Sequence, residues 1–492
     1  MKKKGLLQKF LSFSIGNWIV IIIGVFSTPL ITRLISPDDF GKASMFTLIV
    51  SLLSLISFMG TDQSFTRFYY EHNDISQKST LLYQCLKVSF ITFGIIIVIL
   101  SFFRYPFLIK IVGEYDTLLY FILLFTIFIT ILNRYVFLVI RMEQRGLLYS
   151  GLQVMSRILE VSFIITFVIF LTIDYKSMIY AQSLTIFLVT LTGFILSRKM
   201  WAIKRVDQSK NEDSVLSFKE LIHYGFPLGV TGMIYWLFQT LDRFALNYWS
   251  TYEELGLYVA AFKIVALLNI IQTSFTTFWV PVSYQKYQEN KEDKDFFSNF
   301  ASLIMLLMIF IGLFVLISKD LIVYLLGPEY REAAKIMPFL IFMPIMYTLS
   351  EVTVVGINFA KKSYWHIIIS IITLISNLIG NLILVPSLGA VGAAVSTGIS
   401  YIVFLLMRTF ISLRYYKVNY HLSNMMSSII ILLMYTFVLT FYSSIYDFLL
   451  GIVFTVLLLM LNFKLIKKSI ENLEFIEIKK KLLRKISKEK KE

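Results

Sequence analysis

Arg134, Arg157, Glu160, Lys263 and Glu351 stand within long apolar stretches of the chain, and Asp62 and Arg67 stand at the end of another. A charged side chain in hydrocarbon costs a few kcal/mol, so each of these residues is a candidate for function. Guanidinium and ammonium groups in a water-poor site would hold an anionic group such as a phosphate, which makes Lys263, Arg134, Arg157 and Arg67 substrate-binding candidates. Carboxylates in the same setting would carry a proton or bind a cation, so Asp62, Glu160 and Glu351 are coupling-ion candidates. Arg134, Arg141 and Arg145 are spaced for one helical face, with Arg134 about 9 Å deeper than the helix end. Arg157 and Glu160 lie three apart and can pair on their own helix. Two readings stay open for Arg134, Arg157 and Glu160: a neutralised structural cluster, or a cationic wall facing an anionic substrate. Lys263 has a plain alternative as a snorkelling lysine. Asp62 and Glu351 have one as caps at the membrane interface.

The elements that position these residues must be membrane helices. Of 492 residues, 57% are hydrophobic and 16% charged, and the mean hydropathy is +0.74. No soluble domain hides that much apolar surface. Stretches of about 20 apolar residues span a bilayer as helices. Fourteen are read, at about 12–33, 41–62, 82–103, 117–140, 150–172, 177–197, 219–241, 256–281, 297–317, 335–357, 364–385, 389–410, 422–443 and 446–464. With the N-terminus in the cytoplasm, about 33 of the 46 Lys and Arg fall on the inner side and about 9 on the outer. This predicts both termini on the cytoplasmic side and an even number of spans, as expected of a multi-pass membrane protein.

The chain divides at its longest polar stretch. The expected organisation is an N-terminal lobe at 1–200, a cytoplasmic linker at 201–218, a C-terminal lobe at 219–417, two accessory spans at 418–466 and a basic tail at 467–492. Six spans return the chain to its starting side, so the lobes would form a parallel pseudo-repeat. A repeated turn supports this. Arg33-Leu34-Ile35-Ser36-Pro37-Asp38-Asp39-Phe40-Gly41 lies between two apolar stretches, with Asp38 or Asp39 able to cap the following helix. About 215 residues later a second turn runs from Asp242 and Arg243 to Gly256. Arg33, Asp242 and Arg243 are therefore outer gate or anchor candidates. Pro281 is expected to close the eighth span, Pro338 and Pro344 to interrupt the tenth, and Gly389 to open the twelfth. The Lys-rich tail patterns as a basic amphipathic helix or as a solvated end.

Several classes of function are excluded. The sequence has no Gly-Lys-Ser phosphate loop, no serine elbow and no large outer loop for a catalytic centre, so neither an enzyme nor ATP-driven transport by this chain is expected. Cys85 is the single cysteine, and the four histidines are scattered, so no metal or other cofactor is expected. The formal charge of +15 is spread over loops and tail, which argues against a nucleic-acid partner.

The chain resembles the bacterial polysaccharide repeat-unit flippases, the Wzx-type O-antigen or capsule transporters of the MOP exporter superfamily. The residues that carry the likeness are Pro29 to Gly41, Arg67-Phe68-Tyr69-Tyr70-Glu71, Asp242-Arg243-Phe244-Ala245-Leu246, Glu254 to Lys263 and Gly389-Ala390-Val391-Gly392-Ala393-Ala394. The resemblance implies two six-helix lobes around a central cavity, two accessory helices and alternating access. It implies an undecaprenyl-diphosphate-linked oligosaccharide as substrate, with membrane lipid, a polysaccharide polymerase and chain-length proteins as partners. The related lipid II flippases are similar around Tyr258, Ala261 and Lys263, so Lys263 is the first expected diphosphate contact. The first two spans depart from those relatives in lacking a deep basic residue. The alternatives are an ion-coupled drug or small-molecule antiporter of the same superfamily, a membrane-bound polysaccharide polymerase, and a non-transporting scaffold.

Overall fold

The structure is a computed structural model that describes residues 6–71, 74–171, 173–202, 218–442 and 446–489. The protein is all-helical, with no strand among the described residues. Among the described residues, eleven helices are long and apolar enough to cross a membrane, or twelve if one bent pair counts as a span. All fourteen stretches predicted from sequence fall on helices. Three stretches account for the difference between eleven and fourteen: the first helix contributes only a short apolar segment, Trp18–Leu34, one helix of 52 residues holds two stretches, and one stretch falls on the bent pair. Large apolar side chains point outward along the spans; Phe102 is 81% exposed and Phe314 69%. Such a surface is stable only against lipid. The chain is thus a multi-pass membrane protein.

Contacts divide the chain into two compact units: Met1–Val259 with Leu326–Tyr330, and Ala260–Leu325 with Arg331–Glu492. The first contains α1 (Leu6–Leu34), α2 (Pro37–Phe58), α3 (Thr61–Phe68), α4 (Ile75–Val112) and α5 (Thr117–Met142). It continues through α6 (Gly146–Phe170), α7 (Tyr175–Leu196), α8 (Arg198–Trp201) and α9 (Phe218–Trp249) to the start of α10 (Tyr252–Val265). Within it, α1 packs along α6, with Gly16 N–H donating to Ser150 Oγ at 3.2 Å. The predicted turn before α2 is present, but its cap is Ser36 and neither aspartate. Ser36 Oγ accepts from Asp39 N–H and donates to the Asp39 carboxylate at 2.7 Å, while Pro37 takes the first helical position. The second predicted turn is shorter than expected. Asp242 and Arg243 lie inside α9, and only Ser250 and Thr251 separate it from α10.

The second unit continues α10 and adds α11 (Leu268–Glu289), α12 (Lys294–Ile317), α13 (Lys319–Tyr324), α14 (Ala333–Leu340), α15 (Phe342–Thr353) and α16 (Val355–Phe359). Then follow α17 (Tyr364–Tyr415), α18 (Leu422–Phe441) and α19 (Asp447–Glu489). α10 and α11 form the bent pair, at 43°. Pro281 does not close a helix as expected, because α11 runs on to Glu289, where Gln285 and Lys286 both bond the Glu289 carboxylate. The interruption expected around Pro338 and Pro344 is present between α14 and α15. Gly389 breaks α17 with φ 53° and ψ −130°, a conformation open to glycine, and so separates two spans. Asn377, Asn381, Ser396 and Thr397 join those two spans through buried polar contacts. The linker at 201–218 lies, apart from its ends, outside the described residues. α19 extends into the predicted tail, but the side chains that would define its amphipathic face lie outside them too.

Candidate functional site: a charged cavity at membrane depth

Arg134 and Arg157 open onto one cavity of about 550 Å³ within the first unit. α5 supplies Asn133 and Arg134, α6 supplies Gln153, Arg157 and Glu160, and α1 closes a side with Val20 and Gly24. Arg157 is the twelfth residue of the 25-residue α6, which puts it near mid-span. Arg134 lies about 12 Å before the end of α5, counting 1.5 Å per residue.

Each arginine has a carboxylate partner. Arg134 donates from Nη2 and Nε to Asp62 Oδ2, at 2.6 and 3.1 Å. Arg157 Nη1 donates to Glu160 Oε2 at 2.8 Å, and its Nη2 donates to Ser27 Oγ of α1 at 2.8 Å. Gly24 lies beside this arm, where a Cβ would make an ordinary contact of 3.9 Å with Arg157 Nη2. Pairing offsets the cost of placing the charges at this depth. The guanidinium of Arg134 is nonetheless not sealed off, since its side chain is 42% exposed while that of Asp62 is only 8% exposed. Asn133 donates to Thr190 Oγ1 at 2.9 Å, whereas Gln153 Oε1 is buried with no hydrogen-bond partner. The cavity therefore offers two guanidinium groups, the Glu160 carboxylate and neutral polar side chains in a wall otherwise apolar.

A family model described as polysaccharide biosynthesis protein matches residues 6–287, which is more than half of the chain. The chain belongs to the polysaccharide biosynthesis protein family. A curated relative from Haloferax volcanii, named probable low-salt glycan biosynthesis flippase Agl15, is 23% identical over 235 residues, or 47% of this chain and 48% of that one. The chain thus spans about half the length of the curated relative it matches. Among solved structures, a lipid II flippase MurJ in an inward closed conformation is similar with a TM-score of 0.66 and 17% identity, over 94% of this chain and 99% of that one. An inward-facing multidrug resistance MATE family transporter of the MOP superfamily is similar with a TM-score of 0.56 and 14% identity, over 85% and 99%. At these identities the two structures speak to fold alone.

In this member of the polysaccharide biosynthesis family, the cavity gathers three of the sequence candidates, Arg134, Arg157 and Glu160, with Asp62 behind Arg134. The others lie elsewhere. Arg67 is on the exposed face of α3, paired with Glu71 one turn on. Lys263 belongs to the second unit, half-buried in the last turn of α10 just before the bend. Arg33 is exposed at the end of α1. Asp242 is buried and accepts from Tyr258 O–H at 2.7 Å, and Arg243 next to it is half-buried. Glu351 is buried in the second unit against Arg408, whose Nη1 donates to Glu351 Oε1 and to Ser350 Oγ, both at 2.7 Å. Sequence reasoning missed Arg408, because an arginine two residues from the end of an apolar stretch reads as an interfacial anchor. It also missed Gln153 and Asn133, since neutral amides carry no charge signal.

Proposed function

We propose that the chain is a flippase for undecaprenyl-diphosphate-linked oligosaccharide repeat units. It would carry them from the inner to the outer leaflet of the bacterial cytoplasmic membrane for cell-surface polysaccharide synthesis, with both termini cytoplasmic. The observation that carries this reading is the pair of arginines, Arg134 and Arg157, on one cavity at membrane depth. A diphosphate cannot cross hydrocarbon unaided, whereas a prenyl tail can stay in lipid. Guanidinium groups bind phosphate oxygens in a bidentate way, and amides such as Gln153 suit sugar hydroxyls. Lys263 and Arg67 are proposed as further diphosphate or sugar contacts. Alternating access by movement of the two lobes, driven by an ion gradient or the membrane potential, supplies the cycle. A polymerase that consumes the delivered unit is the implied partner. The drug-antiporter alternative needs an available carboxylate in the cavity, and here Asp62 and Glu160 are each held by an arginine.

The test is flipping of a lipid-linked oligosaccharide in proteoliposomes. Losing a hydrogen bond to a charged group costs about 1.5–3 kcal/mol, so Arg134→Ala, Arg157→Ala and Lys263→Ala are each expected to slow flipping about ten- to a hundredfold. Wild-type rates in all three variants would overturn the reading. So would ion-coupled export of a small cation with no flipping.

A further inference from the structure

The Arg134–Asp62 pair connects the cavity to a backbone contact on the far side of α3. Asp62 lies in the first turn of α3, two residues after Gly60. Gly60, with φ +78°, meets α9 without side chains between: a Cβ on it would lie 1.8 Å from Gly225 O. A Cβ on Gly229 would lie 2.8 Å from Gly60 N. One turn along, Ser64 Oγ donates to Leu221 O at 2.7 Å. The short helix α3 thus presents a carboxylate to Arg134 while its backbone rests on the first turns of α9. All of these residues belong to the first unit.

We infer that Asp62 is a built-in competitor for the substrate's phosphate groups, holding Arg134 while the cavity is empty and releasing α3 from α9 when an anion takes the arginine. The inference rests on the diphosphate reading above. A single Asp62 oxygen, Oδ2, accepts both Arg134 bonds and a third from Gln63 Nε2 at 3.1 Å. A diphosphate carries more charge and more acceptor oxygens, so it wins the guanidinium once it enters from the exposed side. Asp62, only 8% exposed, is then a buried carboxylate stripped of its cation. Such a group is strongly destabilised, and the nearest relief is movement of α3 toward water. That movement breaks the Gly60 and Ser64 contacts with α9. The coupling is reciprocal: whatever loosens α3 from α9 also raises affinity for the anion. Asp62 is accordingly a positioning residue rather than a substrate contact.

The test uses the full chain in detergent, with farnesyl diphosphate as probe and inorganic diphosphate as the tail-free comparison. A Leu221→Cys reporter, which keeps the carbonyl that Ser64 bonds, is labelled with a maleimide; position 221 and the native Cys85 are both buried. Wild type is expected to bind the probe in an Arg134-dependent way, and the probe is expected to speed Leu221→Cys labelling. Asp62→Asn removes the competitor, so it is expected to bind the probe at least about fivefold more tightly, within the range of measured coupling energies. Its buried amide has no charge to strand, so its labelling should stay slow and the probe should not speed it. Asp62→Glu keeps the charge and is expected to restore the wild-type pattern, which also controls for folding. If Arg134→Ala abolishes binding while Asp62→Asn alters neither affinity nor the labelling response to the probe, the competitor role is overturned and the diphosphate reading stands. If wild type shows no Arg134-dependent binding, the diphosphate reading falls, and this inference with it.

Discussion

Gly41 and Gly256 lie back to back, each against the carbonyl four residues before the other. A Cβ on Gly41 would lie 1.9 Å from Tyr252 O, and one on Gly256 would lie 1.8 Å from Pro37 O. The two glycines are 215 residues apart, the offset at which the turn motif repeats in sequence. The first turns of α2 and α10 thus meet backbone to backbone, and only glycine permits that approach. Gly41→Ala and Gly256→Ala are expected to destabilise the protein by about 1–3 kcal/mol, the usual cost of overpacking. Gly94→Ala is the control: it lies mid-helix in α4 with nothing within 4 Å of its Cβ position, so it is expected to be neutral or mildly stabilising. Thermal unfolding in detergent checks all three, and equal losses at Gly41 and Gly94 would count against the backbone contact.

Glu351 and Arg408 form an enclosed ion pair, with side chains 9% and 8% exposed. Removing one partner strands a buried charge, while replacing both by apolar groups is often harmless. Glu351→Gln is expected to cost about 3–5 kcal/mol, and Glu351→Leu with Arg408→Met to recover most of it. The unfolding midpoint in detergent reports the difference. A carboxylate that instead works as a proton carrier gives the opposite pattern: Glu351→Gln stays stable and loses only gradient-driven transport.

What was legible in the sequence follows the reach of the forces involved. Lipid demands about 20 apolar residues per span, so the apolar stretches could be read directly, though eleven or twelve of the described helices, not fourteen, are long and apolar enough to cross. Arg157 and Glu160 pair within one helical turn, and that pairing is written in their spacing. Arg134 and Asp62 are 72 residues apart, and Glu351 and Arg408 are 57 apart. Those partnerships exist only once helices pack, and no local spacing marks them. Chain breaks divide in the same way. Pro338, Pro344 and Gly389 announce theirs, whereas the bend between Val265 and Leu268 has neither proline nor glycine within it. Pro281 misleads because membrane helices tolerate proline when polar neighbours beyond it still pair.

At the loop end of α7, Lys176 bridges Glu114 at 3.1 Å and Asp116 at 3.0 Å, tying the start of α7 to the loop before α5. Hydrogen bonds from Tyr175 and then Lys176 hold the Glu114 carboxyl below its ordinary range. The bond from Lys176 does the same for Asp116. Carboxyls depressed in the folded state stabilise it above their unfolded pKa, and that stability is lost as pH falls through the folded values. The protein is therefore expected to lose stability as pH drops below about 4, and Lys176→Met to lose less over that window. Unfolding midpoints at neutral pH and at pH 3 measure the gap; an unchanged gap in Lys176→Met would remove the bridge from the acid response.

Arg157 bonds two helices with one guanidinium, Nη1 to Glu160 on its own α6 and Nη2 to Ser27 on α1. Both bonds are 2.8 Å, and the side chain is only 19% exposed, so neither is a casual surface contact. A lysine would keep the charge but lose the planar fork that reaches both partners at once. Arg157→Lys is therefore expected to retain more flipping than Arg157→Ala yet fall clearly below wild type, with the shortfall in the fork rather than the charge. Ser27→Ala separates the two functions of the side chain. It removes the α1 bond and leaves the Glu160 pair, so it is expected to cost about 1.5–3 kcal/mol of stability with a smaller effect on flipping. Initial flipping rates and unfolding midpoints, measured together for the three variants, decide the matter. If Arg157→Lys matches wild type in both, charge alone suffices at this position and the α1 link has no part in holding the cavity.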